Sequence, residues 1–181
     1  MGDLCFPKVR ECPQPPVTLP DPYPCVRILR AEPECACSLL SALAGQDGEI
    51  TTVYDYFYQY WKLTGVYDEL ADTLIRIVHV EVVHLRVLGN LIVQLGGNPK
   101  CVYPTRKGFR PWTGTMVEYL ESVEQMLAFD VRHERATYQL YADHAKMVKD
   151  EQASLLLTRL AQDEELHYRL FETYLSRLVH D

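Results

Sequence analysis

Two Glu-x-x-His motifs, Glu81-Val-Val-His84 and Glu164-Glu-Leu-His167, interrupt apolar stripes at positions where a packed helix should bury carbon. In the first, Leu74, Ile77 and Val78 lead to Glu81 and His84 before Leu88; in the second, Leu156 and Leu160 lead to Glu164 and His167 before Phe171 and Tyr174. A spacing of three puts carboxylate and imidazole one turn apart on one helix face, so both can point at one ion. Glu49 interrupts a third stripe (Ala42, Gly45, Val53, Tyr56), and Glu134 a fourth (Leu127, Val131, Tyr138, Tyr141). Four carboxylates cannot share an apolar layer as anions without cations, because desolvation and mutual repulsion each cost several kcal/mol. The stripes supply no Lys or Arg at that height. Two divalent ions would neutralise the four glutamates and take one imidazole each, and such an oxygen-rich set suits manganese or iron better than zinc.

Four helical segments must bring these residues together: about 38–63, 68–95, 116–148 and 151–179, each with apolar residues repeating at three and four. Thr115 with Glu118 reads as a capping box, Asp68 and Asp150 as caps, and Gly96-Gly97-Asn98-Pro99 as a stop. Short links around Gly65 and Lys149 make each outer pair an antiparallel hairpin, whereas residues 97–114, with Pro99, Pro104 and Pro111, are long enough to run the length of a bundle. Two hairpins joined by a long crossover is the all-α, ferritin-like four-helix topology. In an antiparallel hairpin, residues equidistant from the turn lie level. The midpoint of Glu49 and Glu81 is Gly65 and that of Glu134 and Glu164 is Lys149, so all six groups fall in one layer, about 22–24 Å from the turns at ~1.5 Å per residue.

Residues 1–36 hold eight of the eleven prolines and form an extended arm before the bundle of residues 37–181. Every candidate ligand follows the arm, so removal of residues 1–30 is expected to leave the site intact while shifting the oligomer. Five of the six cysteines lie at or before Cys37, and no C-x-x-C pair occurs; they read as reduced thiols. The net charge of −7, without a basic cluster, argues against nucleic acid as a partner. The longest run free of charge, Val87–Pro99, is too short to cross a hydrocarbon core, so no membrane is expected. Met1–Phe6 shows no apolar leader, which points to the cytoplasm. The remaining histidines (His79, His133, His144, His180) fall off the stripes and read as surface groups or as supports of the ligands. Of the alternating Tyr54, Tyr56, Tyr58 and Tyr60, one or two near Glu49 could hydrogen-bond a ligand.

The set Glu49, Glu81, His84, Glu134, Glu164 and His167 resembles that of the ferritin-like di-metal carboxylate proteins, over about residues 38–179. Gly45-Gln-Asp-Gly-Glu49-Ile50 and His133-Glu134-Arg135-Ala136 are similar to the manganese-catalase branch, including its small spore-coat relatives; rubrerythrins are the neighbouring branch. The resemblance implies that Glu81 bridges two metals, with Glu49 and His84 completing one position and Glu134 and His167 the other. The carboxylate matching Glu164 is a catalytic base beside the metals in manganese catalases and a ligand in the iron proteins. It implies two Mn ions (alternatively two Fe ions) and an oxidoreductase acting on hydrogen peroxide, by catalase-like disproportionation to water and oxygen. The alternatives are a di-iron peroxidase or ferroxidase and a non-catalytic structural protein of the spore-coat kind. The arm and the aromatic-rich first helix are surfaces suited to a symmetric homo-oligomer.

Overall fold

The computed structural model describes residues 14–180. Four long helices form the bundle: α3 (Glu49–Leu63), α4 (Asp68–Gln94), α5 (Val123–Met147) and α6 (Glu151–His180), preceded by two short helices, α1 (Pro33–Ser38) and α2 (Leu40–Ala44). Helices α3 and α4 pair as one hairpin and α5 and α6 as the other. The ferritin-like architecture expected from the stripes is present. Helix α4, 27 residues long, is the most apolar of the four, and its buried face is core: Leu74, Ile77, Val78, Leu88, Leu91 and Ile92 are all enclosed.

Three expectations need correction. The first helix is not continuous over 38–63, because the chain breaks at Gly45–Gly48 and restarts with Glu49 as the first residue of α3. The break depends on bare backbone: a Cβ on Gly45 would lie 2.4 Å from the Ser41 carbonyl oxygen, and one on Gly48 2.9 Å from that of Ala42. Glu49 thereby sits in a first helical turn, where free amides favour a carboxylate. The third helix begins at Val123, not Met116: the Ser122 hydroxyl accepts from Gln125 N, while Thr115 belongs to a short 3₁₀ turn, Gly114–Met116. The crossover is not plain loop either, since β1 (Val102–Thr105) and β2 (Gly108–Pro111) pair antiparallel within it.

One cap and the stop read from the sequence are in place. Asp150 Oδ1 accepts from Gln152 N and Ala153 N at the start of α6. Helix α4 closes with Gly96 N on Val93 O and Gly97 N on Ile92 O, the paired bonds of a Schellman end, with Gly96 at φ +86°. Asp68 instead opens α4 and accepts from Gly65 N at 2.7 Å.

The core falls into two apolar clusters. One gathers α1, α2 and the far end of α4 around Leu39, Leu91, Leu95 and Leu160; the other gathers Leu63, Leu74, Ile77, Leu127 and Phe171 towards the α3–α4 turn. The candidate site is the polar layer between them.

Candidate metal centre

The six residues singled out by the stripes meet. Glu49, Glu81, His84, Glu134, Glu164 and His167 are all buried, each 1 % exposed or less, and they form two sets of four: Glu49, Glu81, His84 and Glu164, and Glu81, Glu134, Glu164 and His167. Within each set one ligand atom from every residue lies within 4.8 Å of the others. Glu81 and Glu164 belong to both. Their carboxylates span the two imidazoles: His84 Nδ1 is 3.0 Å from Glu81 Oε2 and 3.0 Å from Glu164 Oε1, and His167 Nδ1 is 2.8 Å from Glu81 Oε1 and 3.2 Å from Glu164 Oε2. Glu49 lies at the His84 end, at 4.0 Å, and Glu134 at the His167 end, at 3.8 Å. The imidazole rings lie 6.2 Å apart, nearly parallel.

Four of the six are held from outside the layer. Tyr141 donates to Glu49 Oε1 and Tyr56 to Glu134 Oε1. Of the four alternating tyrosines on α3 only Tyr56 reaches a glutamate; the second donor, Tyr141, comes from the stripe of α5. His84 Nε2 faces Asp163 Oδ2 at 3.3 Å, and His167 Nε2 donates to the Val17 carbonyl at 2.8 Å. The arm therefore touches the centre, contrary to the expectation that it is dispensable there. Asp163 is a residue that sequence reasoning missed. Arg159, four residues earlier on α6, places its Nη1 2.7 Å from the Asp163 carboxylate. Arg159 is a buried cation near the layer, but it serves Asp163 and the arm rather than the glutamates.

The residues fit a pair of cations. Each glutamate keeps one buried oxygen that accepts no hydrogen bond: Glu49 Oε2, Glu81 Oε1, Glu134 Oε2 and Glu164 Oε1. Two of these come within 2.8 and 3.0 Å of imidazole nitrogens without lying in line for a hydrogen bond. Burying such oxygens costs several kcal/mol unless positive charge meets them. Two divalent ions would do so, with Glu49 and His84 on one, Glu134 and His167 on the other, and Glu81 and Glu164 shared.

Protons take that part when metal is absent. Burial, then the neighbouring Glu81 charge, lifts Glu49 well above the usual carboxylate range, and burial with Glu164 pushes Glu134 up to about 8. Burial acts on Glu81 and Glu164 too, but His84 and His167 outweigh it and hold both low. The imidazoles are raised in turn, because Glu81 heads the carboxylates that overcome their own desolvation.

A second polar group lies between α3 and α5. His133 is buried, not on the surface: Nε2 is 2.6 Å from Thr52 Oγ1 and Nδ1 3.4 Å from Asp47 Oδ1, and it lines a cavity of about 570 Å³ with Asp47, Glu118 and Arg132. Burial opposes its charge, yet the Asp47 and Glu134 carboxylates lift its pKa to about 9. Gln59 donates to Asp130, and Asp55 accepts from Glu118 N. His144 is also buried, on the Leu140 carbonyl; His79 is exposed, and the His180 side chain lies outside the described residues, as do Cys5 and Cys12.

The rubrerythrin family model matches residues 45–175, most of the chain and the span in which the six candidate ligands lie. The chain belongs to the rubrerythrin family. Among solved structures this family member resembles KatB, a manganese catalase from Anabaena, with a TM-score of 0.76 and 24 % identity over 88 % of this chain and 79 % of that one. It also resembles the bacterioferritins of Desulfovibrio desulfuricans (TM-score 0.67, 22 % identity, 82 % and 84 % covered) and Rhodobacter capsulatus (TM-score 0.69, 18 % identity, 84 % and 89 % covered). These likenesses establish the shared ferritin-like fold. No curated protein sequence matches the chain.

Proposed function

We propose that the protein is a di-metal oxidoreductase that consumes hydrogen peroxide, disproportionating it to water and oxygen with a manganese pair held by Glu49, Glu81, His84, Glu134, Glu164 and His167. The observation that carries this reading is the sharing of Glu81 and Glu164 between two four-residue sets, each with its own imidazole and end carboxylate. A bound pair of redox metals supplies a store for two electrons, enough to take them from one peroxide and return them to the next without an outside donor.

The chain's own residues do the remainder. The apolar clusters on either side keep bulk water from the layer, which strengthens every charge interaction inside it. Tyr56 and Tyr141 occupy one oxygen each of Glu134 and Glu49, leaving the other for an ion. The Val17 carbonyl can only accept, so in the neutral His167 ring the proton stays on Nε2 and the Nδ1 lone pair faces the carboxylates.

A second reading, a di-iron peroxidase or ferroxidase, draws on the same placement of Glu164, since a ligand role there is the pattern of the iron proteins it resembles. Metal analysis of purified protein together with oxygen evolution separates the two. Manganese with one O₂ for every two peroxides and no donor supports the first; iron with donor-dependent peroxide loss supports the second. Neither metal near two equivalents contradicts both. The aromatic face of α3, with Tyr54 and Trp61 exposed, is proposed as a self-association surface, which gel filtration would check.

A further inference from the structure

We propose that the N-terminal arm, through residues 17–23, is a working part of the metal centre: it fixes the outer nitrogen of His167 directly and that of His84 through Asp163, and so sets how tightly each half of the layer holds its ion. This deepens the di-metal reading and rests on it. The family match starts at residue 45, so the arm lies outside the matched residues.

The arm's contacts converge on two atoms. On one side, the Val17 carbonyl receives His167 Nε2 at 2.8 Å. On the other, His84 Nε2 meets Asp163 Oδ2, and the arm crowds that carboxylate with donors: Leu19 N at 2.9 Å, the Thr18 hydroxyl at 3.1 Å and the Tyr23 hydroxyl at 2.6 Å. Arg159 clamps the same stretch from α6. It donates to the carbonyls of Leu19 at 3.0 Å and Asp21 at 3.1 Å, and its guanidinium lies 4.7 Å over the Tyr23 ring, whose edge packs on His84. An outer partner of a ligating imidazole fixes its tautomer and direction and raises its basicity, and loss of such a partner costs 10–100-fold in metal affinity. The two halves differ: His84 has a carboxylate behind it and His167 a peptide carbonyl, so a change at Asp163 should act on one half, whereas loosening the arm should act on both.

The test is Mn(II) binding to the full-length protein, followed by the electron-paramagnetic signal of free Mn(II) and fitted as two sites. Hydrogen exchange over residues 14–24 reports whether the arm is docked. Arg159→Gln should speed exchange in the arm and raise both dissociation constants by about 10–100-fold. Asp163→Asn keeps the shape but turns an N–H towards His84 or removes the charge behind it, and should weaken one site only. Tyr23→Phe takes a single donor from the half-buried arm and should weaken the same site by less than tenfold, which keeps the proposal testable if either buried variant fails to fold. General destabilisation would lower the melting temperature without selecting one site, so a loss shared by both sites in Asp163→Asn or Tyr23→Phe, or constants unchanged in all three variants, overturns the role of the arm. A parent protein that takes up no Mn(II) overturns the di-metal reading itself, a result distinct from tight binding that is indifferent to these changes.

Discussion

Loading the layer with metal should expel protons, and their number can be counted from the side chains. At neutral pH the metal-free layer holds two imidazoliums, His84 and His167, both raised by the carboxylates around them. Glu49 and Glu134 carry protons because burial and their anionic neighbours raise them, whereas Glu81 and Glu164 are ionised. Two positive and two negative charges leave the layer neutral. Two divalent ions require four ionised glutamates and two neutral imidazoles, again neutral overall, so two protons leave the imidazoles and two leave the carboxyls: about four in all, two per ion. The sign follows directly: protons compete with metal, so affinity falls as pH falls, by up to about 10⁴ per pH unit for the pair while all four groups are protonated. As pH rises past about 8 the metal-free Glu134 ionises, and release should decline towards three. Calorimetric titration with Mn(II) in two buffers of different ionisation heat reads the proton count. Release of one proton or none at pH 7 would refute the self-neutralised layer.

Other outcomes follow from the same geometry. Glu164→Gln removes a carboxylate that reaches both imidazoles, so metal content should drop at both positions along with turnover; full occupancy with turnover reduced by roughly 10²–10⁴ would restore the catalytic-base role instead. Tyr141→Phe keeps the ring in the core but removes the donor to Glu49, and chemical denaturation should show a loss of about 1–3 kcal/mol. Burial lifts Asp55 from 3.8 to about 7, so its contribution to stability is intact below pH 4 and lost as pH rises to 7, by about 4 kcal/mol at most. Asp55→Asn should therefore be more stable than the parent at pH 7 and gain nothing at pH 4.

The ligand layer was legible because a charged residue on an apolar stripe is a conflict that few arrangements resolve, and because hairpin symmetry makes level residues computable. Glu81, His84, Glu164 and His167 announced themselves in this way. Asp163 did not: in the run Gln162-Asp163-Glu164-Glu165 its type matches a solvated face, and only tertiary contact with the arm shows it to be enclosed. Helix α3 hid its buried side for a related reason. Thr52, Asp55 and Gln59 are enclosed there beside Glu49 and Tyr56, so apolar periodicity shows only part of the buried face. The break at Gly45–Gly48 and the late start of α5 at Val123 depend on close backbone approach and on a serine cap, to which stripes are blind. Tyr141 was visible as core, but its hydroxyl partner on α3 is 92 residues away and leaves no local trace.

Anomalous diffraction at the manganese edge, on crystals of the Mn(II)-loaded protein, tests the di-metal assignment most directly. Two peaks should appear in the buried layer, both within coordinating distance of Glu81 and Glu164, one beside His84 Nδ1 and the other beside His167 Nδ1. A single peak, or peaks elsewhere such as beside Asp55 and Asp130, would contradict it.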